Sequence, residues 1–200
     1  MSSLSANPVG EHCPPDPHYG QIAPVRAAEL RGAMRNLASG VAIVATGTGN
    51  VRQGSTVSSV TSVCLEPPCL LVCINVASRT HGAILAERCF GISVLRKGQE
   101  PLVPLFAGQN GIFGADRFQN EIWNCDVTGA PLLVAALCSF DCALYRHEII
   151  GSHGICIGRI VATRVGAGDP IVNFQGRLHA LPPNTADDAS RTCQNLDAAS

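Results

Sequence analysis

Charge is scarce in this 200-residue chain. Asp, Glu, Lys and Arg together make 14% of it, 14 basic against 15 acidic residues, for a formal net charge of −1. No basic field exists to recruit nucleic acid or an anionic membrane. Aromatic residues are 4%, with one Trp and two Tyr, too few for a base-stacking platform. No run of eighteen apolar residues appears, so no membrane span is expected. Met1 to Asp16 is polar and proline-bearing, without the apolar core of a signal peptide. Three nucleotide and nucleophile signatures are missing: the glycine fingerprint G-x-G-x-x-G, the phosphate loop G-x-x-x-x-G-K-[ST] and the elbow G-x-S-x-G. Dinucleotide binding by a Rossmann unit and hydrolysis by an elbow serine are therefore not expected.

Ten cysteines are present, scattered at 13, 64, 69, 73, 89, 125, 138, 142, 156 and 193, with no C-x-x-C. Most fall inside apolar runs, where Cys behaves as a small hydrophobe. Without a signal peptide, reduced thiols and a cytoplasmic setting are the expectation. His12, Cys13 and His18 lack a fourth ligand, and no metal site is expected. The length suits one domain with a proper core. The low charge and a mean hydropathy of +0.20 suggest apolar surface buried by a partner subunit.

Residues 1–24 lack periodicity and read as a flexible tail, as do the polar residues 183–200 beyond Pro182-Pro183. Between them, 25–182 reads as one domain. Leu30, Ala33, Met34 and Leu37 have helical spacing. Val41 to Thr46 is a buried strand, and Gly47 to Asn50 a turn. Cys69 to Val76 is a continuous apolar strand. His81 to Arg88 reads as a short helix capped by Ser78 or Thr80, Phe90 to Leu95 as a strand, and Glu100 to Ala107 as a short apolar helix or turn. Leu132 to Glu148 reads as one long strand with an apolar even face and a mixed odd face carrying Ser139, Asp141, Tyr145 and His147. Gly151-Ser152-His153 turns the chain into a further strand, Ile155 to Val165. Several antiparallel strands with two or three short helices give a mainly β protein, a barrel or similar closed sheet.

The most informative stretch is Gly54 to Pro68. Six hydroxyl side chains fall between Ser55 and Ser62, while Val57, Val60 and Val63 keep the β propensity high. One extended strand with hydroxyls on both faces cannot bury a face in a core. It reads either as an exposed edge strand or as a row of neutral donors and acceptors for a flat polar ligand. Gly54-Ser-Thr-Val-Ser-Ser-Val-Thr-Ser-Val-Cys-Leu-Glu-Pro-Pro68 resembles the flavin-binding signature of the flavin reductase-like family. The likeness continues, in order, through Ser78-Arg-Thr80, Phe106-Ala107, Asp116-Arg-Phe118, Gly151-Ser-His153 and Pro170-Ile-Val, over roughly residues 28–181.

The resemblance implies an FMN-binding split β-barrel of antiparallel Greek-key type, normally a homodimer. It also implies an NAD(P)H:flavin oxidoreductase that uses NADH or NADPH, reduces FMN or FAD and supplies reduced flavin to a separate monooxygenase component. The alternative is a non-catalytic split-barrel protein that carries or senses flavin. Carried over residue by residue, flavin contacts would fall on Thr56, Val57, Ser58, Ser59, Ser62, Val63 and Cys64. Ser78, Arg79 and Thr80 at a helix start would meet the flavin phosphate, a placement that convergent hydroxyls, one guanidinium and a helix N-terminus favour on physical grounds too. Arg117 either fixes its own loop or reaches flavin or nicotinamide nucleotide. His153 would lie on the nicotinamide side as the catalytic residue. Ser152 stands where the family usually has Asp, and Asn173 and Leu178 where it often has tyrosines, which bears on how the nicotinamide nucleotide is held.

Overall fold

The computed structural model describes residues 22–182. Most of the expected N-terminal tail, with His12, Cys13 and His18, and the whole expected C-terminal tail lie outside the described residues. Contacts divide the described residues into two units, 22–34 and 35–182. In the first, α1 (Ala27–Met34) forms where helical spacing was expected, with Arg26 ion-paired to Glu29 at 3.8 Å.

The second unit is mainly β. Its strands are β1 (Ser39–Gly40), β2 (Ala42–Thr46), β3 (Gln53–Val57), β4 (Thr61–Leu65), β5 (Pro68–Asn75) and β6 (Cys89–Val94), then β7 (Trp123–Cys125), β8 (Pro131–Leu133), β9 (Cys138–Ile150), β10 (His153–Val165), β11 (Ile171–Phe174) and β12 (Arg177–Ala180). Two α-helices interrupt them, α2 (Arg79–Glu87) and α3 (Leu102–Phe106). The main sheet has seven strands in the order β3-β2-β6-β9-β10-β5-β4, every pairing antiparallel. Smaller sheets, β1-β11-β12 and β7-β8, flank it.

The strand order forces curvature. β3 and β4 stand at opposite edges of the sheet, yet only residues 58–60 join them. Four residue steps reach at most about 14 Å, whereas seven flat strands spread over roughly 29 Å. The sheet must curl until its edges meet. There Ser59 closes the gap: its Oγ accepts from the Cys73 N–H at 3.1 Å and donates to the Cys73 carbonyl at 3.0 Å. One side chain thus replaces a ladder rung, leaving a barrel split along that seam.

β2 explains the continuous apolar run Val41 to Thr46, since all five of its residues are buried. Ala42 and Val44 face the barrel interior with Phe90, Ile92, Leu70, Val72 and Ile84. Ile43 and Ala45 face the opposite way, onto Leu102, Leu105, Phe106 and Phe118. A strand covered on both faces has no reason to alternate.

Two expectations need correction. The hydroxyl-rich stretch is not one strand: it breaks at 58–60 into β3 and β4. Leu132 to Glu148 is likewise two elements, β8 and β9, separated by a turn in which the Ala136 N–H bonds the Leu133 carbonyl. Nor is the even face of β9 its only buried one. Ser139 and Asp141 are as buried as Cys142, because Asp141 accepts from both the backbone N–H and the hydroxyl of Thr128. A buried carboxylate is tolerable when donors meet both its oxygens.

Candidate functional site

The α2 N-terminus sets the geometry. Ser78 is its N-cap and accepts from the Thr80 N–H at 3.2 Å. Asn75 shapes the preceding turn, its Oδ1 accepting from the Ala77 N–H. Ser55 on β3 links strand to helix, its Oγ lying 2.8 Å from Thr80 Oγ1 and 3.3 Å from Ser78 Oγ. Three hydroxyls therefore converge where the helix carries about half a positive charge.

Two adjoining hollows open there. The first, about 400 Å3, is lined by Ser55, Ser78, Arg79, Thr80, Phe113 and Arg117 among others. The second, about 490 Å3, runs along Thr56, Val57, Ser58 and Ser59 to Asn75 and His153. They share Ser55, Ser78, Phe106 and Ala107, so they form one groove.

Arg117 is anchored. Its Nε donates to the Ile112 carbonyl at 2.8 Å, and its Nη1 donates to the carbonyls of Gly54 and Phe106 at 2.9 and 3.3 Å. The loop-fixing role is thereby observed, and the same side chain also lines the groove. Arg79 and Arg117 flank the ring of Phe113, with guanidinium carbons 5.9 and 5.5 Å from its centroid. Burial, and then the neighbouring Arg79 charge, lower the Arg117 pKa. Neither arginine has an acidic partner among the described residues. Two cations beside a helix N-terminus fit the phosphate of a flavin nucleotide.

The hydroxyls do less than the sequence suggests. Thr56 donates to the Val103 carbonyl at 2.8 Å, Ser59 is taken by Cys73, and the Val57 side chain is core. What β3 offers a ligand is its edge backbone, because only β2 pairs with it. Ser62, Val63 and Cys64 are on β4 and line neither hollow. Gln53, Ser55, Asn75 and Phe113 line the groove and were not anticipated. The Ser/Thr count could have drawn attention to Ser55, but Phe113 reaches the groove only through the fold of its loop.

His153 stands exposed at the far end, and Ser152 Oγ lies 3.0 Å from its Nδ1. Ser152 thus performs the orienting contact by hydrogen bond, without charge. Beneath this turn, His81 and His147 meet Nε2 to Nε2 at 2.9 Å. Gly154 makes room for them, since a Cβ there would lie 2.4 Å from His81 Nε2. One ring must donate and the other accept, so the pair cannot hold two full charges. Burial first, and His147 second, lower the His81 pKa below its ordinary 6.5. The unfolded chain then binds the proton at higher pH than the folded one. Stability is full above pH about 6.5 and is lost as pH falls below it. The melting temperature is expected to drop between pH 7.5 and 5.5, and the slope to flatten in His81→Gln; an unchanged slope would exclude this pair as the cause.

Comparison with known proteins meets the same residues. The profile of the flavin reductase like domain matches residues 34–182. The chain belongs to the flavin reductase-like family. A relative from Pseudomonas syringae pv. syringae, named FMN reductase (NADH) RutF, is 35% identical over 165 residues, 82% of this chain and 92% of its own. The reductase component of a 4-nitrophenol 4-monooxygenase/4-nitrocatechol 2-monooxygenase from Rhodococcus opacus is 35% identical over 166 residues, 82% and 87% of the two chains. Among solved structures, BorF, the flavin reductase component of a bacterial two-component tryptophan halogenase, superposes with TM-score 0.73 at 34% identity, covering 80% of this chain and all of that one. The split-barrel architecture is that of flavin reductases.

Proposed function

We propose that the groove binds FMN or FAD and a reduced nicotinamide nucleotide, and that the chain is an NAD(P)H:flavin oxidoreductase supplying a separate oxygenase. One observation carries this: the α2 N-terminus with Ser78, Arg79 and Thr80, the edge of β3 and His153 line one continuous groove. The flavin ring supplies the hydride-accepting chemistry. The chain's part is positional. Ser78, Arg79, Thr80 and Arg117 hold a phosphate, the β3 backbone meets the polar ring edge, and Ser152 orients His153 toward the nicotinamide side. The named reductase components among its relatives support delivery to a partner oxygenase.

The same reading extends to a homodimer. Leu65 and Val63 are 83% and 45% exposed on the open β4 edge. Beside it lies a largely apolar hollow of about 470 Å3 lined by Leu37, Ala42, Val60 and Val94. A second copy would cover both and bring Ser62 and Val63 to a shared surface. We place the protein in the cytoplasm, where reduced nicotinamide nucleotides are available. No helix among the described residues is long and apolar enough to cross a membrane.

The test is nicotinamide oxidation by the purified protein with NADH or NADPH and with FMN, FAD or neither. Flavin-dependent turnover is expected; flavin binding without turnover would make the chain a carrier. In His153→Ala, the KM for the nicotinamide nucleotide should rise about tenfold, one lost hydrogen bond, with flavin affinity unchanged. Equal loss of both affinities would remove His153 from the nicotinamide side.

A further inference from the structure

Cys64 and Cys69 are register partners across β4 and β5. Leu65 and Pro68 form the rung nearest the two-residue turn Glu66-Pro67. Opposed Cα atoms on antiparallel strands lie about 4.5–5.5 Å apart, within the span of about 4.4–6.8 Å that a disulfide bridges. None of the other described cysteines has a cysteine as its register partner.

The environments of the two thiols differ. Cys64 is half-buried and its Sγ donates to the Pro67 carbonyl at 3.0 Å. Cys69 is 2% exposed. Burial, and then the charge and hydrogen bond of Cys64, push the Cys69 thiol up. A half-buried thiol with a fully shielded one beside it has the placement of an attacking and a resolving cysteine.

We propose that Cys64 and Cys69 are a peroxide-reactive pair that closes to a reversible intramolecular disulfide. The oxidant is hydrogen peroxide. Reduced flavin that meets dioxygen instead of an oxygenase releases it, so this source, though not the pair itself, rests on the reductase reading. The Cys64 sulfur attacks one peroxide oxygen and the O–O bond breaks. Cys64 becomes a sulfenic acid, and the leaving hydroxide takes the thiol proton as water. The Cys69 sulfur then attacks the Cys64 sulfur, the S–O bond breaks, and hydroxide leaves with the Cys69 proton as a second water. Two thiols and one peroxide give one disulfide and two waters. Closure stops Cys64 short of the irreversible sulfinic acid, which suits a protein whose own product generates peroxide.

The experiment uses the full chain in two arms, one with stoichiometric hydrogen peroxide and one with NADH, flavin and air. Free thiols are alkylated, the protein is digested, and fragment sequencing locates the blocked cysteines. Cys64 and Cys69 should lose alkylation together, lose two hydrogens between them, and regain both under dithiothreitol. In Cys69→Ser, dimedone should label Cys64 as sulfenic acid. Full alkylation of Cys64 after added peroxide, or its linkage to any other cysteine, would overturn the proposal. A link formed by added peroxide but not during turnover would leave the pair standing and count against the reductase reading.

Discussion

Arg79→Ala will weaken FMN binding about 10- to 100-fold while leaving riboflavin, which has no phosphate, unaffected. A charge-assisted hydrogen bond is worth about 1.5–3 kcal/mol, and each 1.4 kcal/mol is about tenfold in Kd. The fold should not suffer. Arg79 is the first residue of α2, an end position where alanine is well tolerated, and its guanidinium makes no ion pair among the described residues. Relief of the repulsion felt by Arg117 offsets part of the loss, which sets the lower end of the range. Arg79→Lys keeps the charge but not the fork and should fall between. Fluorescence titration of both flavins decides the matter. Equal weakening of FMN and riboflavin would mean that Arg79 shapes the groove and does not hold the phosphate.

Gly91→Ala carries a large expected loss of stability. Gly91 sits in β6 between β2 and β9, opposite Ala45 and Asp141. A Cβ there would lie 2.5 Å from the Pro131 carbonyl oxygen and 2.6 Å from Leu132 Cδ2. The first is backbone, and Ala130 and Leu132 on either side are buried, so the contact cannot be relieved by turning a side chain. Overpacking of this kind costs about 1–3 kcal/mol. For a domain of this size that is a fall of roughly 2–12 °C in Tm, measured without flavin because a bound ligand would mask it. The flavin affinity of the protein that remains folded should be near normal, since Gly91 lines neither hollow. A Tm within a degree of the parent would show that β8 can lift off β6 at little cost.

Much of the site was legible because it is local. Ser78 caps α2 and Arg79 begins it, as a three-residue pattern of hydroxyl, guanidinium and hydroxyl before an apolar helix would suggest. The apolar run through β2 announced a strand covered on both faces. The limits of that reading also have physical causes. Thr56 and Ser59 look like ligand hydroxyls in a one-dimensional pattern, but their partners, Val103 and Cys73, stand 47 and 14 residues away. Asp141 looks like a surface carboxylate until the turn at Thr128 closes over it.

The sequence by itself determined the class of the protein: mainly β, with low charge, no Rossmann or hydrolase signature, and a helix start carrying two hydroxyls and a guanidinium. Those properties depend on residues adjacent in the chain, where propensity and capping act. Only the tertiary structure decided that the hydroxyl stretch divides between two sheet edges, that Arg117 spends three donor contacts on backbone carbonyls, and that His81 meets His147 across 66 residues. Each joins residues far apart in the chain, and loop closure over such separations leaves no local trace in it.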